Sequence, residues 1–449
     1  MRIEYSAGSN ITGKKINGLE LELVTASEAE LTDEIARLNS NRKKTHDITV
    51  EKTIDILDKC AKLWLDDNYM EKHLDILSRI VNQSRELVKK ELKGSLSMLL
   101  RENTEKMIKE ELGDLQVMDS WVKTGYGYMQ RQPRGTVFHN ISGNAFVVIP
   151  VSLSTGLLTK NCNLVKVSGD EPYFAYAFYK SLCEIDESVA DRLSVVYFDS
   201  SQPGIYETVI KNCNSVIHWG GEQSRKSIAE LCAANDVFLI SHGAKISFEV
   251  IDEAEDIGET SREVATDIVL WEQKACLSPR IVFVNSELDG MKFSQALARS
   301  LNSLASVFPK AYLSPWNSVK TIQDRQYCTV KYGLKNQVEV FSSFNADYTV
   351  IFNSEMPDKE DIDKCFNRFV FVCPYKNASE VYNYAEANLR PYLQTMGYCG
   401  KNEEFLEDMS RLGLSIITRP GEMSMHCPGT SHDGFFNLQE MTYAVSRQL

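Results

Sequence analysis

Eleven cysteines are spread through this 449-residue chain, and one of them stands where a thiol can do chemistry. The segment Trp271-Glu-Gln-Lys-Ala-Cys-Leu-Ser-Pro-Arg280 falls between a helical pattern and a β-rich run, which puts Cys276 on a loop. Lys274 and Arg280 flank it, and cations beside a thiol lower its pKa from about 8.5. The thiolate is the form that attacks an acyl group. Most free cysteines are small buried hydrophobes, so the company Cys276 keeps must decide. His218-Trp219-Gly220-Gly221 follows a β-rich run and opens a helical one. Two glycines there let the backbone approach a pyrophosphate at a helix N-terminus, although a plain turn has the same composition. His432-Asp433-Gly434 precedes a terminal segment that reads as helix, so it is either a capping turn or part of a site.

These residues need elements to hold them. Asn17-Gly18 followed by LELELV reads as a tight turn into a strand. Ser27 and Glu30 fit a capping box, and Val50, Ile54, Leu57, Ala61 and Leu65 repeat at helical spacing. Met70, Leu74, Leu77 and Val81 continue that pattern, so residues 27–115 are predicted helical with a charged outer face. From residue 134 β-rich runs alternate with helical stretches: 135–141, 163–168, 193–198, 215–221 and 237–241. A second series follows at 246–252, 280–285, 347–353 and 368–374, with a helix near 288–307. Such alternation predicts two doubly wound αβα domains with ligands at the carboxyl ends of parallel strands. The predicted divisions are an N-terminal strand and helical region (1–118), a cofactor domain (119–243), a cysteine domain (244–434) and a C-terminal helix (435–449).

Composition narrows the function. A net charge of −13 argues against nucleic-acid binding, which needs a concentrated basic surface. The cysteines form no CxxC pair, and with the seven histidines they show no ligand spacing, so no metal is expected. The pattern instead suits free thiols in a reducing compartment. The longest weakly polar run, 145–158, contains Pro150 and Gly156 and is too short to span a bilayer. A cytoplasmic, soluble protein is expected.

The stretch PRGTVFHNISGNAFVVIPVSLSTGLLTKNCNLVKVS (133–168) resembles the cofactor-domain core of the aldehyde dehydrogenase superfamily. By that resemblance Asn144, with the Cys276 N–H, holds the oxyanion of an acyl-transfer intermediate, and Asn140 is its rival. One such donor typically contributes about 2.7–4 kcal/mol. Lys166 would reach the adenosine ribose or its phosphate. NAD-preferring members often carry a glutamate three residues further on, where this chain has Gly169 preceded by Ser168. The missing carboxylate leaves room for a 2′-phosphate and implies NADPH. Trp219, Gly220 and Gly221 resemble the superfamily's phosphate turn. Hydrolytic members place a water-activating glutamate just before a Gly-Gly-Lys turn. The matching stretch is Ser241-His242-Gly243-Ala244-Lys245, so Ser241 stands in that glutamate's place. Glu249 is the nearest candidate substitute, and His242 either tunes the site or is structural.

ISGNAF (141–146), HWGGEQ (218–223), EQKACLSPR (272–280) and TSHDGFFNLQEMTYAVS (430–446) together look like the LuxC family of long-chain acyl-CoA reductases. One departure from the wider superfamily is that the glutamine before the cysteine, Gln273, lies three residues upstream rather than two. The resemblance implies NADPH-dependent reduction of a fatty acyl thioester, from CoA or a carrier protein, to an aldehyde through a Cys276 acyl-enzyme. Lys274 and His432 would line the site. An acyl-protein synthetase is the implied donor partner, and a homo-oligomer is expected. A short-chain CoA-acylating aldehyde dehydrogenase, an acyl-protein thioesterase and a non-catalytic acyl-processing scaffold are the alternatives.

Overall fold

The computed structural model describes every residue except 144, 145, 147, 311–314, 336, 345, 426 and 449. Its first hairpin follows from two residues. Asn17 (φ 43°) and Gly18 (φ 80°) supply the left-handed positions that a two-residue turn between twisted strands requires. Asn10–Ile16 therefore pairs antiparallel with Leu19–Thr25. Ser27 caps the helix Glu28–Ser40 in a reciprocal box with Glu30. Five more helices run as far as Leu112. In Val50–Leu65 the residues Val50, Ile54, Leu57 and Ala61 are buried, and Trp64 Nε1 donates to Ser181 Oγ at 2.9 Å. That bond fixes the helical region onto the domain that follows.

The first large sheet has five parallel strands, in the order Phe238–His242, Ser215–Trp219, Thr136–Ile141, Cys162–Lys166, Leu193–Val196. The three inner strands are buried along their whole length, as strands covered on both faces must be. Chain order reverses between Thr136–Ile141 and Ser215–Trp219, so a ligand crevice opens at their carboxyl ends. The second sheet has seven strands, ordered Val338–Ser342, Thr349–Asn353, Phe369–Tyr375, Pro279–Asn285, Ile246–Ile251, Leu393–Cys399, Ile416–Thr418. Its first strand is antiparallel and the others are parallel. The first sheet ends at His242 and the second begins at Ile246.

The predicted terminal helix over 435–449 is not what forms. A single turn, Asn437–Glu440, gives way to the strand Thr442–Gln448. This strand pairs antiparallel with Gly127–Pro133, which in turn pairs with Val122–Thr124. Seven paired positions outweigh whatever helical preference the segment has. No helix among the described residues is long and apolar enough to cross a membrane.

Beneath the second sheet lies a group of buried carboxyls. Glu249 is fully buried and neither of its oxygens has a hydrogen-bond partner among the described residues. Asp267 accepts the Gly421 and Met423 N–H groups at 2.5 and 3.1 Å. Burial, and then neighbouring carboxylates, raise both carboxyls above their ordinary range. The folded protein therefore holds protons that the unfolded chain releases. The associated stability is present below the ordinary carboxyl pKa and is lost as pH rises. The melting midpoint should fall between pH 5 and pH 8, and Glu249→Gln should recover about 2 °C or more of that fall at pH 8. Identical pH profiles for the two proteins, read by calorimetry, would count against this account.

Candidate active site

The loop that presents Cys276 is bent by three consecutive left-handed residues, Trp271 (φ 61°), Glu272 (φ 48°) and Gln273 (φ 59°). Each such non-glycine position costs on the order of 1–3 kcal/mol and persists only when its surroundings over-determine it. Gln273 donates to the carbonyls of Pro279 (2.8 Å) and Phe369 (2.7 Å) and accepts from the Phe369 N–H (2.8 Å). Glu272 takes the Arg368 guanidinium on both oxygens, at 3.1 and 2.6 Å, with both side chains buried. The Trp271 N–H donates to the Glu91 carboxyl at 2.7 Å, so the helix Arg85–Ser97 props the loop from outside the domain.

Cys276 itself is half-buried. Its carbonyl accepts from Ser247 Oγ at 2.7 Å, which ties the loop to the strand Ile246–Ile251. Burial and the nearby Asp433 carboxylate push its thiol up to about 12, and the side chain of Gln394 and the charge of Arg280 only partly offset them. The expected activation by Lys274 does not occur. Its ammonium donates to the Val81 carbonyl at 3.2 Å and faces Glu272 and Glu91, because the left-handed run redirects the side chains that follow it. Arg280 lies 4.4 Å over the Phe366 ring and 3.6 Å from Asp363. The thiol rests protonated.

Around it stands an assembly drawn from five distant parts of the chain. Asp433, on a left-handed residue (φ 54°), accepts from His242 Nδ1 at 2.8 Å and from Gln394 Nε2 at 2.9 Å. Burial works to raise the Asp433 carboxyl, but the His242 bond and the charges of His432, His242 and Lys245 outweigh it and hold it low. His242 Nε2 meets Asn437 Oδ1 at 3.0 Å. The His242 ring stacks on Trp219, centroids 3.6 Å apart, and His432 stands edge-on to both at 5.1 and 4.8 Å. Trp219 is held in turn by its bond to Ser152 Oγ at 3.1 Å, on the apolar helix Val148–Leu158. Ligand atoms of His242, His432 and Asp433 lie within 4.8 Å of one another. Both His242 nitrogens are already engaged, however, so the grouping reads as a hydrogen-bonded wall.

On the cofactor side, Lys166 is buried at the end of its strand, where it shares a small recess with Ile141, Ser142, Ser168 and Glu171. Gly169 and Ser168 follow, and Ser168 Oγ accepts the Asp170 N–H at 3.1 Å. The glycines of the predicted phosphate turn divide their work. Gly220 is demanded from within, since a Cβ there would lie 2.7 Å from the His218 ring, and its N–H is spent on the His242 carbonyl. Gly221 caps the helix Glu222–Ala234 and faces open space. Trp219 is buried in the aromatic wall rather than lining a phosphate turn. Ser241 has a buried hydroxyl with no partner among the described residues, and its register partner is His218. Asn140 is bonded to His218 at 3.0 Å, a structural use. Glu249 packs against Gly397, where Met423 also lies. Asn144 lies outside the described residues. Sequence reasoning did not single out Gln394 or Asn437: Gln394 has no local motif, and Asn437, although within the 430–446 segment, has its partner His242 195 residues away.

With this geometry the chain can be set beside known proteins. Its fold is that of the aldehyde dehydrogenases. Aldehyde dehydrogenase 21 of Physcomitrella patens superposes with a TM-score of 0.79 at 11% identity, covering 99% of this chain and 97% of that one. The indole-3-acetaldehyde dehydrogenase AldA of P. syringae gives 0.79 at 12%, covering 99% and 95%. Within that class the chain belongs to the acyl-CoA reductase (LuxC) family, whose pattern matches residues 45–444. It is 24% identical over 416 residues to the long-chain acyl-protein thioester reductase of Vibrio harveyi, covering 91% of this chain and 84% of that one. The Photorhabdus luminescens reductase is 24% identical over 442 residues, covering 95% and 87%. The α/β aldehyde-dehydrogenase-like fold read from the sequence is borne out, as is an oxidoreductase of acyl and aldehyde groups.

Two outcomes test the site. Alkylation of Cys276 by iodoacetamide should rise about tenfold per pH unit from pH 7 to 10, following the thiolate fraction, and Asp433→Asn should speed it several-fold at pH 8. A plateau below pH 9 in the wild type would refute the protonated resting thiol. Arg368→Met should cost about 3–5 kcal/mol of stability by stranding Glu272, read by urea denaturation.

Proposed function

We propose that the chain reduces fatty acyl thioesters to aldehydes through an acyl group held on Cys276, with NADPH as the reductant. The observation that carries this reading is the placement of Cys276 on an over-determined loop, beside Gln394 and Asp433, with no ionised carboxylate in the position of a hydrolytic base. By the resemblance, serine fills that position at 241, and burial raises the Glu249 carboxyl well above its ordinary range. Asp433 is ionised but already accepts a hydrogen bond on each oxygen. An acyl thioester on Cys276 would therefore be spared attack by water.

The residues fit a nicotinamide cofactor. Lys166 offers an under-partnered cation at the carboxyl end of a parallel strand, and Gly221 leaves a helix N-terminus open. Lys166, Ser168 and the Gly220-Gly221 turn would hold its adenosine and pyrophosphate. In the proposed cycle the Cys276 thiol loses its proton and its sulfur attacks the acyl carbonyl. The carbon–sulfur bond to the donor thiol then breaks, and that thiol leaves with a proton. Asn144 and the Cys276 N–H bear the oxyanion. When bound, the reduced nicotinamide supplies a hydride to the thioester carbonyl. Collapse of the hemithioacetal would break its bond to the Cys276 sulfur, releasing the aldehyde and leaving that sulfur to take up a proton. An acyl-protein synthetase is the proposed donor, a homo-oligomer the proposed assembly and the cytoplasm the proposed location.

Intact-mass analysis after mixing with a long-chain acyl-CoA should show one acyl adduct on wild type and none on Cys276→Ala. The adduct should persist without NADPH and discharge as aldehyde when NADPH is added. Fast release of free acid without NADPH would instead make the protein a thioesterase. Asn144→Ala should lower kcat by about 10²–10³. Oxidation of NADPH against NADH, followed over acyl chains of increasing length, separates this reading from a short-chain acylating dehydrogenase.

A further inference from the structure

At the carboxyl end of the strand Cys162–Lys166 two lysines from distant parts of the sequence converge. Lys166 is only 4% exposed, and among the described residues its ammonium makes one long hydrogen bond, to the Val167 carbonyl at 3.5 Å. The rings of Phe198 and Tyr206 lie 5.2 and 5.7 Å from it. A buried cation without a paired anion is costly. Burial accordingly pulls its pKa down to about 8, against the charges of Asp199 and Asp170.

The second cation comes from the N-terminal hairpin. A Cβ built on Gly169 would lie 2.6 Å from the Lys14 ammonium nitrogen and 3.3 Å from the Tyr197 hydroxyl. Lys14 thus occupies the space into which any side chain at residue 169 would grow. It is near enough to Lys166 to disfavour that residue's charge. Its one ion pair is loose, 3.7 Å to Asp170, whose carboxylate is 88% exposed and can swing aside. Asp199 is the other carboxylate felt by both lysines, and it turns an oxygen to the Ser201 N–H at 2.9 Å.

We propose that Lys14 is the residue that selects the 2′-phosphate of NADPH, gripping that group together with Lys166 at the gap left by Gly169. The inference rests on the NADPH reading above. A ribose diol offers two hydroxyl donors, which a carboxylate satisfies and two ammonium groups do not. A phosphate monoester brings the nearly two negative charges that the two lysines lack. Lys166 meets the adenosine ribose in either cofactor. Lys14 gains a partner only when the phosphate is present.

Calorimetric titration of the whole protein with 2′,5′-ADP and with 5′-AMP tests this without turnover. Wild type should favour 2′,5′-ADP. Lys14→Ala should weaken 2′,5′-ADP about tenfold, a typical loss for one charge-assisted contact, and leave 5′-AMP nearly unchanged. Lys14→Arg should retain the preference. Lys14 lies on a surface hairpin, and an unchanged melting midpoint would show that the alanine variant is folded. A Lys14→Ala protein that keeps the wild-type preference, or that loses both ligands equally, overturns the role of Lys14. A wild type with no preference between the ligands overturns the NADPH reading itself, so the two failures are distinguishable.

Discussion

Arg368 and Glu272 meet through two hydrogen bonds with both side chains out of reach of water. Replacing such a pair by packed apolar groups is often harmless, whereas breaking it strands a charge. Its importance here is geometric. Glu272 is the middle of three left-handed residues, and Arg368 is itself left-handed at φ 63°. The pair locks two strained turns against each other. The Gln273 bracket to Phe369 and Pro279 closes the same clamp from the other side. Cys276 is three residues from this clamp, so the position of its loop is set by buried polar contacts rather than by its immediate neighbours.

The electrostatics follow from that position. The loop delivers Cys276 into a site where Asp433 is held ionised by His242, and an adjacent anion disfavours a thiolate. The resting protein therefore does not store a reactive thiolate, in contrast to cysteine enzymes that pair sulfur with a cation. In the cycle proposed above, the thiol would therefore have to lose its proton as it is acylated.

Much of this was readable beforehand because it depends on local signals. Asn17-Gly18, the Ser27–Glu30 box and the runs that became the inner strands of the cofactor sheet each carry their own geometry. Cys276, Lys166 and Gly169 are candidates because their spacing follows the chain order of the resembled family. Lys274 stands two residues from Cys276 in sequence, yet its ammonium turns to the Val81 carbonyl, a direction that adjacency in sequence does not reveal. Gln394 had no local signal, and Asn437 had only its place in the 430–446 segment, which does not reveal its partner. The terminal strand did carry a local signal, since Thr442-Tyr443-Ala444-Val445 is a β-rich run. It was read as helix because its partner, Gly127–Pro133, lies more than 300 residues upstream in sequence.

That last strand has a consequence for how the molecule comes together. The segment carrying Asp433 and Asn437 reaches back over the whole second sheet. It docks where Glu111 receives the Leu438 N–H, 327 residues earlier, and where Asn161 donates to the Met441 carbonyl, 280 residues earlier. Contacts of such separation form late, because the intervening chain must already be ordered. During synthesis both large sheets can be complete while residues 432–448 are still emerging. Asp433 and Asn437 therefore reach their places only when this last segment docks, so the polar wall in which His242 is held is completed at the end of folding.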